Sequence, residues 1–405
     1  MTTPIAIVDP ADPASWPATV PPGTRRHLAA LVDPGPAALM ANAGEMRGEL
    51  LRVGDAVLPV LISGAQGPRA SILSPLAHHV LYPAEEIARA SKRIGRGTLR
   101  ALLAPLVLAL RLGRIDRCAF VNHWLLSGAP DPGLPAADWA AALAFLAARH
   151  PDHALVVQDV TQTLTPELHD ALAQAGGEPV PSRRICVLDP SAPLSGRKRR
   201  KLRNNRNTLA RLLAEAAPRQ LGRAALEGQE ERLAALHAEA NIGRHSQLNP
   251  AYTAAFFRLA LACEDVRLAA WAAPDGPPGE IAAFNLQRED GRRLYWTTFG
   301  RLPPGADDAV RGYELAAASD IAVAAERGLL LDWGGGAEHF KRMRGAVLHQ
   351  QLEMVFTRHL PWHRRAAWGL LARLRRLRAR QVGLAPRGRD WPDAPDAAGA
   401  PDTGG

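Results

Sequence analysis

The sequence predicts an α/β protein in which a mixed, partly antiparallel sheet flanked by helices is built twice in tandem. Two observations carry this. Both halves run hairpin or meander, helix, strand, helix, strand, and an internal duplication explains the repetition economically. Strands alternating with helices imply parallel pairs at each crossover, while tight turns such as Gly54-Asp55 and Asp290-Gly291 join antiparallel ones.

In the first half, "ELLRVGDAVLPVLIS" (49–63) alternates around Gly54-Asp55 and reads as a hairpin. A long helical stretch, roughly 84–112, carries Pro105, which is expected to kink or end it. A strand (117–126), a helix (135–150) and a strand (153–160) follow. Residues 165–177 are a helix with Thr165 as N-cap, Pro166 in the first turn and Gly176 as its stop, and a strand closes the series at 183–189.

The second half opens with helices over 200–216, 230–242 and 250–264. A meander follows over 266–274, 280–290 and 292–300. A helix (about 309–327), the strand "LLLDW" (329–333), a helix starting near Ala337 and a strand (346–359) complete it.

With 405 residues and 47% hydrophobic content, the chain can bury two ordinary cores. The expected division is 25–190 and 191–365, then a basic amphipathic helix over 366–384. Residues 1–24 and 385–405, rich in Pro, Ala, Gly and Asp, are expected to be disordered tails.

Lys and Arg number 49 against 40 Asp and Glu, which suits an anionic ligand or surface, although an Arg- and Ala-rich composition also follows from a GC-rich genome. Cys118, Cys186 and Cys263 lie far apart without CxxC spacing. This argues for a reducing compartment and against structural zinc. The first residues lack a signal-peptide pattern, and the most apolar run, 101–110, is too short to span a bilayer, so a cytoplasmic protein is expected. In the segment 368–384, Leu and Arg are spaced so that the helix either lies on an anionic membrane or packs its Leu face on the body.

The stretch "LDWGGGAEHFKRMRGA" (331–346) places a strand, three glycines and a basic helix in succession. Glycines permit positive φ and close backbone approach, so a tight turn beside a ligand site is expected at Gly334, Gly335 and Gly336. A helix N-terminus after them would suit an anion, but Glu338 sits in its first turn. Phe340-Lys341 followed by Arg342, Arg344 and Gly345 resembles the late motif of Fem-like acyltransferases of the GNAT superfamily. "RRLYWTTFG" and "RKRRKLRNNRNTLAR" resemble that group's central strand and the basic helix opening its second domain. The resemblance covers about 45–360 and is strongest over 292–346.

It implies two tandem GNAT-like domains, the second carrying the active site, and an N-acyltransferase moving an acyl group to a small-molecule amine or peptide. Acyl-CoA is the implied donor, groups other than aminoacyl being expected, with aminoacyl-tRNA as the alternative; no metal or redox cofactor is implied. The donor carbonyl would meet backbone N–H groups at a splayed strand end, which maps to Thr297, Thr298 and Phe299. An ordinary buried strand is the other reading. Lys341, by the same match, would bind phosphate or stabilise charge, with Arg342 assisting, or else be a solvated helix lysine. Glu338 would be a general base or would cap the helix dipole. Tyr295, Trp296 and Asp332 are pocket candidates by strand-end position, or core residues.

The GNAT pyrophosphate loop reads Arg/Gln-x-x-Gly-x-Gly/Ala, whereas this chain has "GRLPPGADDAVRG" (300–312). Arg301 and Gly305 fit; Asp307 and Asp308 would repel pyrophosphate. The sequence contains no GxSxG, Walker A or HExxH pattern, and the histidines of "AHHV" (77–80) lack metal-ligand spacing. The rival reading is an RNA- or tRNA-binding protein, because "GRKRRKLRNNRNTLARL" (196–212) concentrates Arg and Lys, and a tRNA-dependent transferase would unite the two.

Overall fold

The computed structural model describes residues 3–381 except 66, 68, 91–95, 127, 194–198, 278, 304, 308 and 309. The strands are β1 (Ile5–Ile7), β2 (Arg47–Val53), β3 (Ala56–Ile62), β4 (Cys118–Val121), β5 (Ala154–Val160), β6 (Glu178–Leu188), β7 (Gln220–Leu221), β8 (Val266–Ala272), β9 (Ile281–Glu289), β10 (Arg293–Arg301), β11 (Leu330–Asp332) and β12 (Val347–Phe356). The helices are α1 (Pro22–Val32), α2 (Pro36–Leu39), α3 (Tyr82–Ala90), α4 (Arg96–Leu112), α5 (Ala136–Arg149), α6 (Pro166–Gln174), α7 (Arg199–Ala216), α8 (Glu230–His237), α9 (Ala254–Ala262), α10 (Gly312–Arg327), α11 (Glu338–Arg342) and α12 (Trp362–Gln381).

All twelve strands join one sheet, in the order β1-β2-β3-β4-β5-β12-β6-β11-β10-β9-β8-β7. Two separate sheets were expected; the sheet instead runs on without a break through the β6–β11 pair. The last strand, β12, returns from the second half and lies between β5 and β6. The repeat is still visible in the two parallel pairs, β4/β5 across α5 and β10/β11 across α10. The remaining pairs are antiparallel, those of the β2–β3 and β9–β10 hairpins because a tight turn reverses the chain.

Strand periodicity sends alternate side chains into separate cores. Leu50, Cys118, Phe120 and Val156 face one side with α1, α4, α9 and α12, while Leu51, Ala119, Val121 and Leu155 face the other with α5 and α6. On that second side, α7 and α10 cover the other half of the sheet through Leu209, Leu294, Ala317 and Leu331.

Several expectations need correction. Residues 3–24 are not a disordered tail: β1 pairs with β2, and Val8, Trp16 and Val20 are buried. Their apolar residues are few, but each reaches the core, so average composition hid them. The tail expected at 385–405 lies outside the described residues. Of the long helix expected over 84–112, the described residues form α3 and α4, and residues 91–95 between them lie outside the described residues. Pro105 does not end α4; it sits on an exposed stretch, where the carbonyl it frees can reach solvent.

Candidate functional site

The parallel strands β10 and β11 pair only through Arg293–Tyr295 and Leu330–Asp332. Beyond Asp332 the chain leaves β10 and follows β6, with Trp333 N–H donating to Cys186 O and Cys186 N–H to Gly334 O. β10 continues to Arg301 on the β9 side alone. The two strands therefore part like a wedge, and a cleft of about 830 Å³ opens between them. Trp296, Thr297, Thr298 and Phe299 form one edge, and Trp333 through Glu338 the other. Ser71, His78, Tyr82 and Ser182 close it from the first half.

A register shift between Trp296 and Thr298 leaves Thr297 opposite no residue of β9, a β-bulge at the lip of the wedge. Side chains fix its shape. Thr297 Oγ1 donates to Leu286 O at 2.9 Å, and Asn241 Nδ2 donates to Phe299 O at 2.9 Å. His237 Nε2 donates to Pro250 O at 2.8 Å, which leaves Nδ1 to accept from Thr298 Oγ1 at 2.7 Å. Burial lowers the His237 pKa and keeps this ring neutral.

The glycine turn answers to its backbone. Gly334 and Gly336 have φ of 62° and 73°, and a Cβ on Gly335 would lie 3.2 Å from Arg184 O. Lys341 then holds the turn from beneath. Its Nζ, buried, donates to the carbonyls of Trp333 (2.7 Å), Gly334 (3.3 Å) and Gly335 (2.8 Å). Desolvation lowers its pKa to about 8. Lys341 faces the cleft floor, but its donors are committed to carbonyls, so it is a clamp on the turn.

The other expected residues are distributed unevenly. Glu338 lines the cleft and is held by Arg184 at 2.9 Å. Phe340 lies behind the wall, edge-on to Tyr313, which itself packs on Trp296 and Phe299. Arg342 is exposed and does not line the cleft. Tyr295 is a core residue whose hydroxyl donates to Asp290 at 2.5 Å; the last β10 residue paired with β11, it points away from the wedge. Asp332 is likewise buried, accepting from Gly334 N at 2.9 Å.

Arg301 lines the cleft but forms an ion pair with Asp307. Asp307 Oδ1 also accepts from Gly312 N at 3.0 Å, so this carboxylate caps the amino end of α10. The amino end of α10, where an anion could otherwise bind, is filled by the chain's own carboxylate.

Sequence reasoning missed His78, Tyr82, Ser182 and Arg375, all lining the cleft. A π-helical turn over Ala77–Leu81 brings both His78 and His79 toward β6 and β12, an insertion with no periodicity signature. His78 Nε2 lies 2.7 Å from Ser182 Oγ, and burial lowers its pKa to about 3. His79 Nε2 pairs with Glu353 Oε2 at 2.9 Å. One ligand atom from each of His78, His79 and Glu353 lies within 4.8 Å of the others, a spacing a metal ion would accept, although no motif in the sequence indicates it.

Beneath Trp333, Asp320 accepts from Asn285 and Gln287, each at 2.6 Å, and from Trp333 Nε1 at 2.9 Å. Burial outweighs these bonds and raises its pKa to about 7. A raised carboxyl keeps its proton in the folded state, so stability should be fullest below the ordinary Asp pKa. It should fall by roughly 4 kcal/mol as pH rises to about 7, then level. Asp320→Asn should flatten that limb in urea titrations; an unchanged slope would refute the assignment.

No family model matches the chain, and no curated protein matches it. Among solved structures it is similar to the C-terminal domain of an Agrobacterium fabrum protein described as a candidate lysylphosphatidylglycerol synthetase, with 15% identity, TM-score 0.38, and coverage of 58% of this chain and 78% of that one. It is also similar to FemX (12% identity, TM-score 0.37, 54% and 77%) and to L-PGS from Bacillus licheniformis (14% identity, TM-score 0.36, 58% and 78%). Among the described residues no helix is long and apolar enough to cross a membrane.

Proposed function

We propose that the protein is a GNAT-type, Fem-like N-acyltransferase that moves an acyl or aminoacyl group from an activated ester or thioester to an amine held in the wedge cleft. The observation that carries this reading is the parting of parallel β10 and β11 with a bulge at Thr297 on its lip. Such a strand end can present backbone N–H groups to an acyl carbonyl and to the oxyanion that develops on it. The amine nitrogen bonds to the carbonyl carbon, and the carbon–oxygen or carbon–sulfur bond of the donor breaks. The leaving hydroxyl or thiol takes up a proton.

His78 lines the cleft and can position the amine. With its pKa lowered to about 3 it is too weak a base to take the amine's proton, which passes to the leaving group or to water. The ring is neutral, while Glu338 and Glu86, the carboxylates nearby, are tied up with Arg184 and Arg89. Arg183, Arg184, Arg375 and Arg378 make the cleft basic, which suits an anionic donor.

Asp307 favours aminoacyl-tRNA over acyl-CoA as that donor, because its carboxylate holds the position a pyrophosphate would take. The amino end of α7 adds a second observation. Arg199, Arg200, Lys201 and Arg203 are exposed there, and Asn205 and Arg206 anchor the helix to the carbonyls of Met343 and Arg344, just after α11. A phosphate backbone bound along α7 would lead toward the cleft.

Thermal unfolding in the presence of acetyl-CoA or bulk aminoacyl-tRNA tests the donor. Aminoacyl-tRNA should give a saturable rise in Tm that salt weakens and that Arg199→Gln/Arg200→Gln/Lys201→Gln removes. A rise with acetyl-CoA instead would restore acyl-CoA as donor, and no rise with either would overturn the reading.

A further inference from the structure

Apart from Val347, the large apolar side chains exposed among the described residues all lie on α3, α4 and α12. Leu102 (70%), Leu108 (59%) and Leu112 (71%) stand out from α4, and Trp362 (73%), Leu370, Leu374 and Leu377 from α12. These helices already bury another face: Leu106, Val107 and Leu110 of α4 pack in the same core as Trp368, Leu371 and Ala372 of α12. The outer leucines are therefore a second apolar face that core packing does not require. The helices are also neighbours. Arg364 of α12 donates to Gly113 O, and Gly113 approaches Ala367 so closely that a Cβ there would lie 2.3 Å from the Ala367 methyl. Scattered exposed leucines are ordinary, but a set confined to packed neighbouring helices marks a binding surface.

Charge decides what binds. Neither α4 nor α12 contains Asp or Glu. Arg365, Arg373, Arg376, Arg378 and Arg380 are exposed on α12, and none has a carboxylate partner among the described residues. Arginines interleaved with leucines along a 20-residue helix fit a surface that is anionic at its phosphates and apolar just below them. A nucleic acid would leave the leucines in water.

We propose that the α4–α12 face docks on an anionic lipid bilayer, with the leucines and Trp362 at the acyl boundary and the arginines against headgroup phosphates. Ile87 of α3 and Arg375, Arg378 and Ala379 of α12 line the cleft, so a bilayer on this face lies beside the cleft rim. The docking does not depend on the acyl-transfer reading.

Cosedimentation with vesicles tests it, using phosphatidylcholine alone and phosphatidylcholine mixed with phosphatidylglycerol. The full chain should bind the mixed vesicles and leave the neutral ones, and Trp362 fluorescence should shift to the blue, a shift absent from Trp362→Phe. Arg365→Gln/Arg373→Gln/Arg380→Gln should weaken binding on the order of a hundred-fold, about five-fold per arginine. Leu102→Ser/Leu108→Ser/Leu374→Ser, all on exposed positions, should abolish the blue shift at unchanged circular dichroism. Equal binding to both vesicle types, binding indifferent to the leucines, or no binding would each overturn the proposal.

Discussion

Lys341→Met should cost roughly 3–5 kcal/mol of stability and collapse transfer activity, although the residue need never touch a substrate. Its ammonium is the donor to the Trp333 and Gly335 carbonyls and shares the Gly334 carbonyl with Cys186 N–H, and a thioether cannot donate. Each carbonyl left unpaired in a dry site costs on the order of 1–3 kcal/mol, and relaxation of the turn recovers part of that. The turn is one lip of the cleft, so its movement by about 1 Å would lower turnover by about a hundred-fold. A pH test separates this role from a generic core effect. The folded pKa of Lys341 is lowered to about 8, so burying the charge penalises folding below that pH. Between pH 8 and the ordinary lysine pKa the unfolded chain binds more protons, and wild-type stability should rise with pH by about 3 kcal/mol from this group. The Met variant should lack that rise. A variant of wild-type stability and activity would show that Lys341 does not hold the turn.

Glu353→Ala should cost about 3–5 kcal/mol, because it strands His79, buried on the π-turn, without its partner on β12. The two side chains are 0% and 1% exposed and 2.9 Å apart, and Gln158 Nε2 donates to the second carboxylate oxygen at 3.1 Å. Burial alone would raise the Glu353 carboxyl; His79, His78 and Gln158 reverse this and hold it down to about 2. With a depressed carboxyl, the stabilisation is complete above the ordinary Glu pKa and is lost as pH falls toward 2. Urea unfolding across that window should show a wild-type decline of roughly 3 kcal/mol that the Ala variant lacks. Parallel acid limbs would exclude the pair as a stabilising element. The same substitution should slacken the π-turn that presents His78 to the cleft.

The sequence revealed different features to different degrees, for physical reasons. The hairpin at Gly54-Asp55, the meander through Asp290-Gly291 and the crossover helices were legible because turn chemistry and period-2 alternation are local. The single sheet was not, because the place of β12 between β5 and β6 depends on pairing partners nearly two hundred residues apart. The glycine turn was read correctly as a tight turn, and its positive φ values bear that out. What sequence could not show was the direction of the Lys341 side chain, inward onto carbonyls instead of outward to phosphate. Tyr295 illustrates a one-residue effect: strand alternation turns it toward Asp290 and away from the cleft that its neighbour Trp296 lines. Adjacent His78 and His79 have no ligand spacing in the sequence, yet a π-turn, with its extra residue, sets them beside Ser182 and Glu353 respectively.

Thr298→Val tests whether the wedge between β10 and the glycine turn performs acyl transfer. The substitution keeps the shape of the bulge but removes the hydroxyl that His237 Nδ1 accepts. Transfer of a labelled acyl group to hydroxylamine should be followed from aminoacyl-tRNA and from acetyl-CoA, for both proteins. Transfer from at least one donor is expected, with kcat about ten-fold or more lower in the variant and KM little changed, as for loss of transition-state positioning. No transfer from either donor by the wild type, or equal kcat in the two proteins, would contradict it.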